Sequence, residues 1–227
     1  MASQLINSMI LKSFGCSFIF GTDLHDDNRL AAKATSSNFT WPALLAQKHG
    51  WEYACYARPG AGNLEIVERL LSQLTHTQPA VYVVGWTWID RFSCTRQHDA
   101  WWNSPWRTIM PVDTDSTAEV YYRDLHSEMR DKLTTLLNVK VAIDTLKQHG
   151  HQFIMTYMDD LMFDSRWNTT PGMSLLQGYC EPHMTRFNGN NLLDWSRDNG
   201  HQISPTWHPL ESAHQAAFEL IDSYNLV

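Results

Sequence analysis

Long apolar runs are missing from this 227-residue chain. No stretch reaches the roughly 18 consecutive apolar residues that a membrane-spanning helix needs, so no membrane partner is expected. Clustered basic charge is missing as well. Seventeen Lys and Arg face twenty-four Asp and Glu, for a net charge of −7. Without a Lys/Arg run there is no footprint for a phosphate backbone, which argues against a nucleic-acid binder. The four cysteines, Cys16, Cys55, Cys94 and Cys180, form no C-x-x-C pair, so reduced thiols are expected rather than a zinc site. The first residues carry neither a basic start nor a long apolar core, so no signal peptide is expected and the chain reads as intracellular.

Several catalytic signatures are also absent. No glycine is followed by lysine, which excludes a P-loop. Ile19 stands where G-x-S-x-G would need its second glycine, and Glu65 stands where a G-x-G-x-x-G starting at Gly60 would need its last. His149 and His151 flank Gly150 between a helical run and an apolar run, where a solvated turn is the commoner arrangement. No metal or cofactor is expected.

What the chain does have is a 43% hydrophobic content, ten tryptophans, and alternating strand and helix signals. Apolar or β-prone runs at 9–14, 52–57, 80–84 and 152–157 read as strands. Helical spacing marks 41–49, 63–74, 120–148 and 209–224. Such alternation predicts an α/β fold, with a mainly parallel sheet covered by helices on both faces. The length fits one domain over residues 1–227, with long functional loops at about 86–117 and 164–204.

Ligands of open parallel sheets bind outside the carboxyl ends of the strands. The first strand is followed by Gly15-Cys16-Ser17, with Gly21 beyond. The second is followed by Pro59-Gly60-Ala61-Gly62-Asn63, the third by Gly85-Trp86-Thr87, and the fourth by Asp159-Asp160. Trp207-His208-Pro209 precedes the last helix. A serine, a glycine loop, a hydroxyl and a histidine would thus share one rim.

Taken in order, these blocks resemble the SGNH, or GDSL-type, hydrolases: lipases, esterases and carbohydrate deacetylases. Gly15-Cys16-Ser17 matches the family's Gly-Asp-Ser block, Gly60-Ala61-Gly62-Asn63 its oxyanion-hole glycine block, and His208-Pro209 its final His-Pro. The likeness is nearest to divergent phage-encoded members. It implies a flavodoxin-like three-layer α/β/α sandwich with about five strands. It further implies Ser17 as nucleophile, His208 as general base, and an oxyanion hole drawn from Ser17, Gly60, Gly62, Asn63 and Thr87. The implied partner is a small ester or acylated carbohydrate, and the implied setting is the cytoplasm, of a host cell if phage-encoded, or a virion. Homo-oligomer or virion assembly is compatible with it.

Three positions depart from the family. Cys16 replaces Asp, and Thr87 stands where an oxyanion-hole Asn is usual. Pro205 stands three residues before His208, where the triad acid belongs. A backbone carbonyl between Ser204 and Trp207 is therefore expected to orient His208, with Asp198 and Glu211 as the carboxylate alternatives. The missing acid favours a rival reading, a catalytically degenerate phage structural or carbohydrate-binding protein.

The residue types themselves suit acyl transfer, since a serine hydroxyl needs a neighbouring base and histidine titrates near neutrality. Backbone amides at 60–63 could hold an oxyanion. The plain alternatives are that Ser17 is a helix cap, Gly60 and Gly62 serve a turn, and His208 is structural. Trp86, Trp88, Trp101, Trp102 and Trp106 crowd one loop. They read either as a satellite core or as an aromatic platform for a sugar, with Trp86, Trp88 and Trp207 as substrate contacts.

Overall fold

A computed structural model describes residues 9–30, 34–74, 79–95 and 105–227. Its centre is a four-stranded parallel sheet in the order β2-β1-β3-β6, formed by β1 (Ile10–Phe14), β2 (Glu52–Cys55), β3 (Ala80–Trp86) and β6 (Gln152–Tyr157). Ile10 pairs with Glu52 on one side and with Ala80 on the other, and Val81 pairs with Gln152.

Successive strand residues point to opposite faces, and both faces are covered, so the central strands are largely apolar; the buried exceptions in β1, Lys12 and Ser13, are bonded to Gln73 O and the Tyr53 hydroxyl. Tyr82, Val84 and Trp86 face Ile66 and Leu70 of α3 (Asn63–Ser72) and Leu136, Val139 and Ile143 of α5 (Glu128–Gln148). Val81 and Val83 face Trp41 and Leu45 of α2 (Trp41–His49) and Ala217 and Ile221 of α8 (Glu211–Ser223). This is the α/β sandwich expected from the alternation.

Among the described residues four strands are hydrogen-bonded into the sheet, where about five were expected. At the β6 edge a single parallel bridge joins Met155 to Met184, in the place of a fifth. The two supposed loops also contain regular structure. The first holds an antiparallel hairpin, β4 (Phe92–Thr95) and β5 (Trp106–Ile109), and then α4 (Ser116–Val120). The second holds α6 (Pro171–Cys180) and α7 (Leu192–Asp198), each capped by a side chain, Thr170 and Asn191 respectively. The helical run expected from residue 120 is broken by a wide turn at Tyr121–Leu125, and α5 starts only after Ser127 caps it. Trp101 and Trp102 lie outside the described residues.

Candidate active site

Ser17 opens α1 (Ser17–Phe20), one turn long, directly beyond the carboxyl end of β1. Two glycines make room for that turn. A Cβ on Gly15 or on Gly85 would come within 2.6 Å of Ile19 Cγ1, so Ile19 can wedge between the ends of β1 and β3 only because both lack one. Gly21 then closes the turn in the left-handed region, φ +88°, where a Cβ would lie 2.4 Å from Ser37 Cβ. Its amide and that of Thr22 both donate to Ser17 O. The chain reverses and delivers Asp23, itself left-handed at φ 69°, to the same rim.

His208 arrives from the other end of the chain. Ser204 to Trp207 form a turn closed by Trp207 N donating to Ser204 O, with Pro205 at the position where its fixed φ is useful. The His208 amide donates to Ser204 Oγ at 3.1 Å, which fixes the backbone of the histidine.

The ring is oriented by Asp23. Asp23 Oδ2 lies 2.8 Å from His208 Nδ1. The same carboxylate accepts from Ser204 Oγ at 2.7 Å, from Thr206 Oγ1, and from Arg29 Nη2 at 3.0 Å. Burial alone would raise the Asp23 pKa. The donors Thr206, Ser204, His208 and Arg29 outweigh burial and hold the carboxyl well below the usual range. Ionised Asp23 therefore accepts a hydrogen bond from Nδ1–H, which keeps the ring proton on Nδ1 and leaves Nε2 as the open acceptor. Burial pushes the His208 pKa down; Asp23 partly offsets this, while the charges of Arg29 and Arg91 reinforce it. At neutral pH the imidazole is neutral, the form a base requires.

This corrects the expected orienting group. Asp198 is exposed and accepts from Asn190 Nδ2, and Glu211 accepts from the His25 amide, so neither serves His208. No carbonyl holds the ring; a carboxylate from six residues after Ser17 does. The αL turn at Gly21 was the missing step, because sequence order alone gives no sign that Asp23 doubles back.

Ser17 is 6% exposed, and its hydroxyl makes one weak contact among the described residues, to Cys16 Sγ at 3.9 Å. It is not hydrogen-bonded to His208. The His208 ring instead packs 5.2 Å from the ring of Phe18, the next residue along. Unliganded active sites often hold such pairs loosely.

The expected oxyanion set is only partly suited to the task. Gly62 is buried tightly: a Cβ there would meet Ser93 Oγ at 2.4 Å and the Arg91 carbonyl at 2.9 Å. The loop before it is tied to the first block by Arg58, whose amide donates to Gly15 O. The Arg58 guanidinium is clamped by Glu65, with Nε to Oε1 at 2.6 Å. Gly60 has φ +78° with open space around it, so it serves the turn. The Asn63 side chain is fully engaged: it accepts from the Thr87 amide and donates to Thr87 O and Thr135 Oγ1. Thr87 is 0% exposed, and its hydroxyl is buried without a partner among the described residues. Neither the Asn63 amide group nor the Thr87 hydroxyl reaches the rim as expected. Trp86, also 0% exposed, is core, and it cannot stack a ligand.

Trp88 and Trp207 do border open space. A cavity of about 560 Å³ is lined by both, with Met110, Val112, Met158 and Leu193 as apolar wall and Arg91, Arg197 and Thr206 as polar rim. The Trp88 ring meets Phe18 edge-on at 5.6 Å, and Trp207 carries the Arg197 guanidinium 4.5 Å from its centroid. Ser17, Phe18, Asp23 and His208 do not themselves line this cavity; Trp88, which meets Phe18, and Thr206, which bonds to Asp23, connect it to the site.

No protein-family model and no curated protein sequence matches this chain. Solved structures superpose on nearly all of it. A lipolytic protein of the G-D-S-L family from Desulfitobacterium hafniense DCB-2 is 9% identical, covering 94% of this chain and 98% of its own, with a TM-score of 0.45. The psychrotrophic esterase EstA from Pseudoalteromonas sp. is 11% identical over 96% of this chain and 95% of its own, at 0.49. The acetyl xylan esterase Est2A from Butyrivibrio proteoclasticus is 16% identical over 96% of this chain and 63% of its own, at 0.49. At such identities and scores the likeness assigns no activity and no catalytic residue.

Proposed function

We propose that this chain is a serine ester hydrolase of the SGNH type, with Ser17, His208 and Asp23 as its triad. The observation that carries the reading is the 2.8 Å bond from Asp23 to His208 Nδ1, beside a ring that packs on the neighbour of Ser17. A half-buried carboxylate that fixes a neutral histidine in the tautomer a base needs has no evident structural necessity at a surface loop. It also weighs against the non-catalytic reading, whose chief support was a missing acid.

In this mechanism His208 Nε2 takes the proton of Ser17 Oγ as the oxygen attacks the ester carbonyl. The tetrahedral oxyanion faces the backbone amides of Ser17 and Gly62. His208 then gives its proton to the leaving alcohol, and a water activated by the same nitrogen hydrolyses the acyl-enzyme. The cavity beyond Trp88 and Trp207 would hold the rest of the substrate, and tryptophan faces suit the sugar of an acylated carbohydrate.

The test is hydrolysis of an aryl acetate, which makes small demands on the cavity. Turnover that disappears in Ser17→Ala and in His208→Ala, with melting temperatures close to wild type, supports the proposal. Turnover equal in wild type and Ser17→Ala, or none in either, overturns it.

A further inference from the structure

Besides Arg197, which is paired with Asp194, the rim carries a second cation that the triad does not use, Arg91. Arg91 follows β3 by five residues and sits against the glycine loop: its Nη1 donates to Ala61 O at 3.3 Å, and its Cβ would lie 3.4 Å from a Cβ on Gly62. Its guanidinium lies 4.9 Å from the centroid of Trp88, the ring that meets Phe18, and it lines the cavity with Thr206 and Trp207. Among the described residues no carboxylate forms a salt bridge with it, although the neighbouring Asp90 on the same cavity wall feels its charge; Arg29, by contrast, is spent on Asp23 and Asp27. Its charge is also felt at His208, where it disfavours the imidazolium.

A gap stands beside this cation. The side chains that could have completed an oxyanion hole are both turned inward: that of Asn63 is bonded to the Thr87 backbone, and the Thr87 hydroxyl is buried. An oxyanion left with backbone amides alone lacks the side-chain donor that usually accompanies them, and a guanidinium offers several donors in a rigid fork.

Resting on Ser17 as the nucleophile, we infer that Arg91 is a catalytic residue whose guanidinium donates to the oxyanion in place of a side-chain amide. The charge that develops on the carbonyl oxygen is then met by a full cation at the Gly62 edge. Trp88 holds the guanidinium plane by stacking, and Ala61 O holds one of its nitrogens. Beside the larger effect of burial, the same charge adds a minor push against the imidazolium of His208.

Aryl acetate turnover in Arg91→Ala and Arg91→Lys tests this. Removing one oxyanion donor costs about 10²–10³-fold in kcat, so Arg91→Ala is expected to fall by that factor with KM little changed. Arg91→Lys should lose less, and added methylguanidinium should restore part of the Arg91→Ala rate. Affinity for a phenylboronic acid, which forms a tetrahedral adduct on Ser17, should fall in proportion to kcat/KM. The acid limb of the pH profile should move to higher pH, because a cation has been taken from beside His208. A purely structural role would move none of these together. If wild type turns over through Ser17 and Arg91→Ala keeps kcat within fivefold, the inference is wrong and the triad stands. If no Ser17-dependent turnover exists, both fall. Should Arg91→Ala fold poorly, Arg91→Lys decides: boronate affinity and kcat equal to wild type, with no shift of the acid limb, overturn the inference.

Discussion

Replacing Asp23 by Asn keeps the shape of the side chain and removes its charge, so it isolates what the carboxylate does. One carboxylate now accepts four donors: Ser204 Oγ, Thr206 Oγ1, His208 Nδ1 and Arg29 Nη2. An amide has one oxygen. If that oxygen faces Ser204, Thr206 and His208, its NH₂ is pressed against Arg29. If it faces Arg29, the NH₂ points at His208 and forces Nδ1 to accept, which places the ring proton on Nε2. In the second arrangement His208 cannot take the serine proton. In the first, the imidazolium loses the charge that stabilises it. Neutralising the acid in a comparable triad lowers kcat by about 10⁴, and loss of the correct tautomer in part of the population gives about 10²–10⁴ here. The assay is aryl acetate hydrolysis between about pH 5 and pH 9, with kcat and kcat/KM followed separately. Asp23 raises the His208 pKa against the effect of burial, so without it the acid limb moves to lower pH as the plateau drops. Asp198→Asn and Glu211→Gln, at carboxylates that do not touch His208, should stay near wild type. Asp23→Asn within threefold of wild type, or a limb that moves upward, would refute the reasoning.

Two further outcomes follow from buried groups. Thr87→Val replaces a hydroxyl that has no partner among the described residues with a methyl of similar size, so the melting temperature should hold or rise and kcat should not change; a loss of turnover would return Thr87 to the oxyanion hole. His214, 1% exposed, accepts from the Trp41 amide, and burial holds its pKa down at about 4, below the 6.5 of a free histidine. The unfolded chain therefore binds a proton that the folded chain refuses in that window. Stability should fall as pH drops from 6.5 toward 4, by on the order of 3 kcal/mol from this group. Urea unfolding at both ends of the range should show His214→Gln losing most of that slope.

The layers of this fold were legible because its central strands and long helices are periodic. Tyr82 and Val84 alternate with Val81 and Val83 between two cores, and α3 shows its apolar face at Ile66 and Leu70. The elements inside the supposed loops were harder to read. α6 begins with the Thr170-Pro171 start signal but spans only ten residues, and β4 and β5 are four residues each, too short for a period to stand out. Ser17, His208 and Gly62 stood out as candidates because they follow strands or precede the last helix. Asp23 could not, since its position depends on two successive left-handed turns that the sequence marks only by Gly21. Asn63, Thr87 and Trp86 were misjudged for a shared reason: position after a strand does not say which way a side chain points, and all three turn inward.

The central claim is that Ser17 is activated by His208 and Asp23. An unassisted serine hydroxyl is barely nucleophilic at neutral pH, so labelling at one serine among many requires a base and an oxyanion hole beside it. Mass spectrometry after treatment with a fluorophosphonate at neutral pH measures this directly. The account predicts one adduct, on Ser17, abolished in His208→Ala and slowed by orders of magnitude in Asp23→Asn. A folded wild-type protein that takes no label, or takes it on another serine, would contradict it.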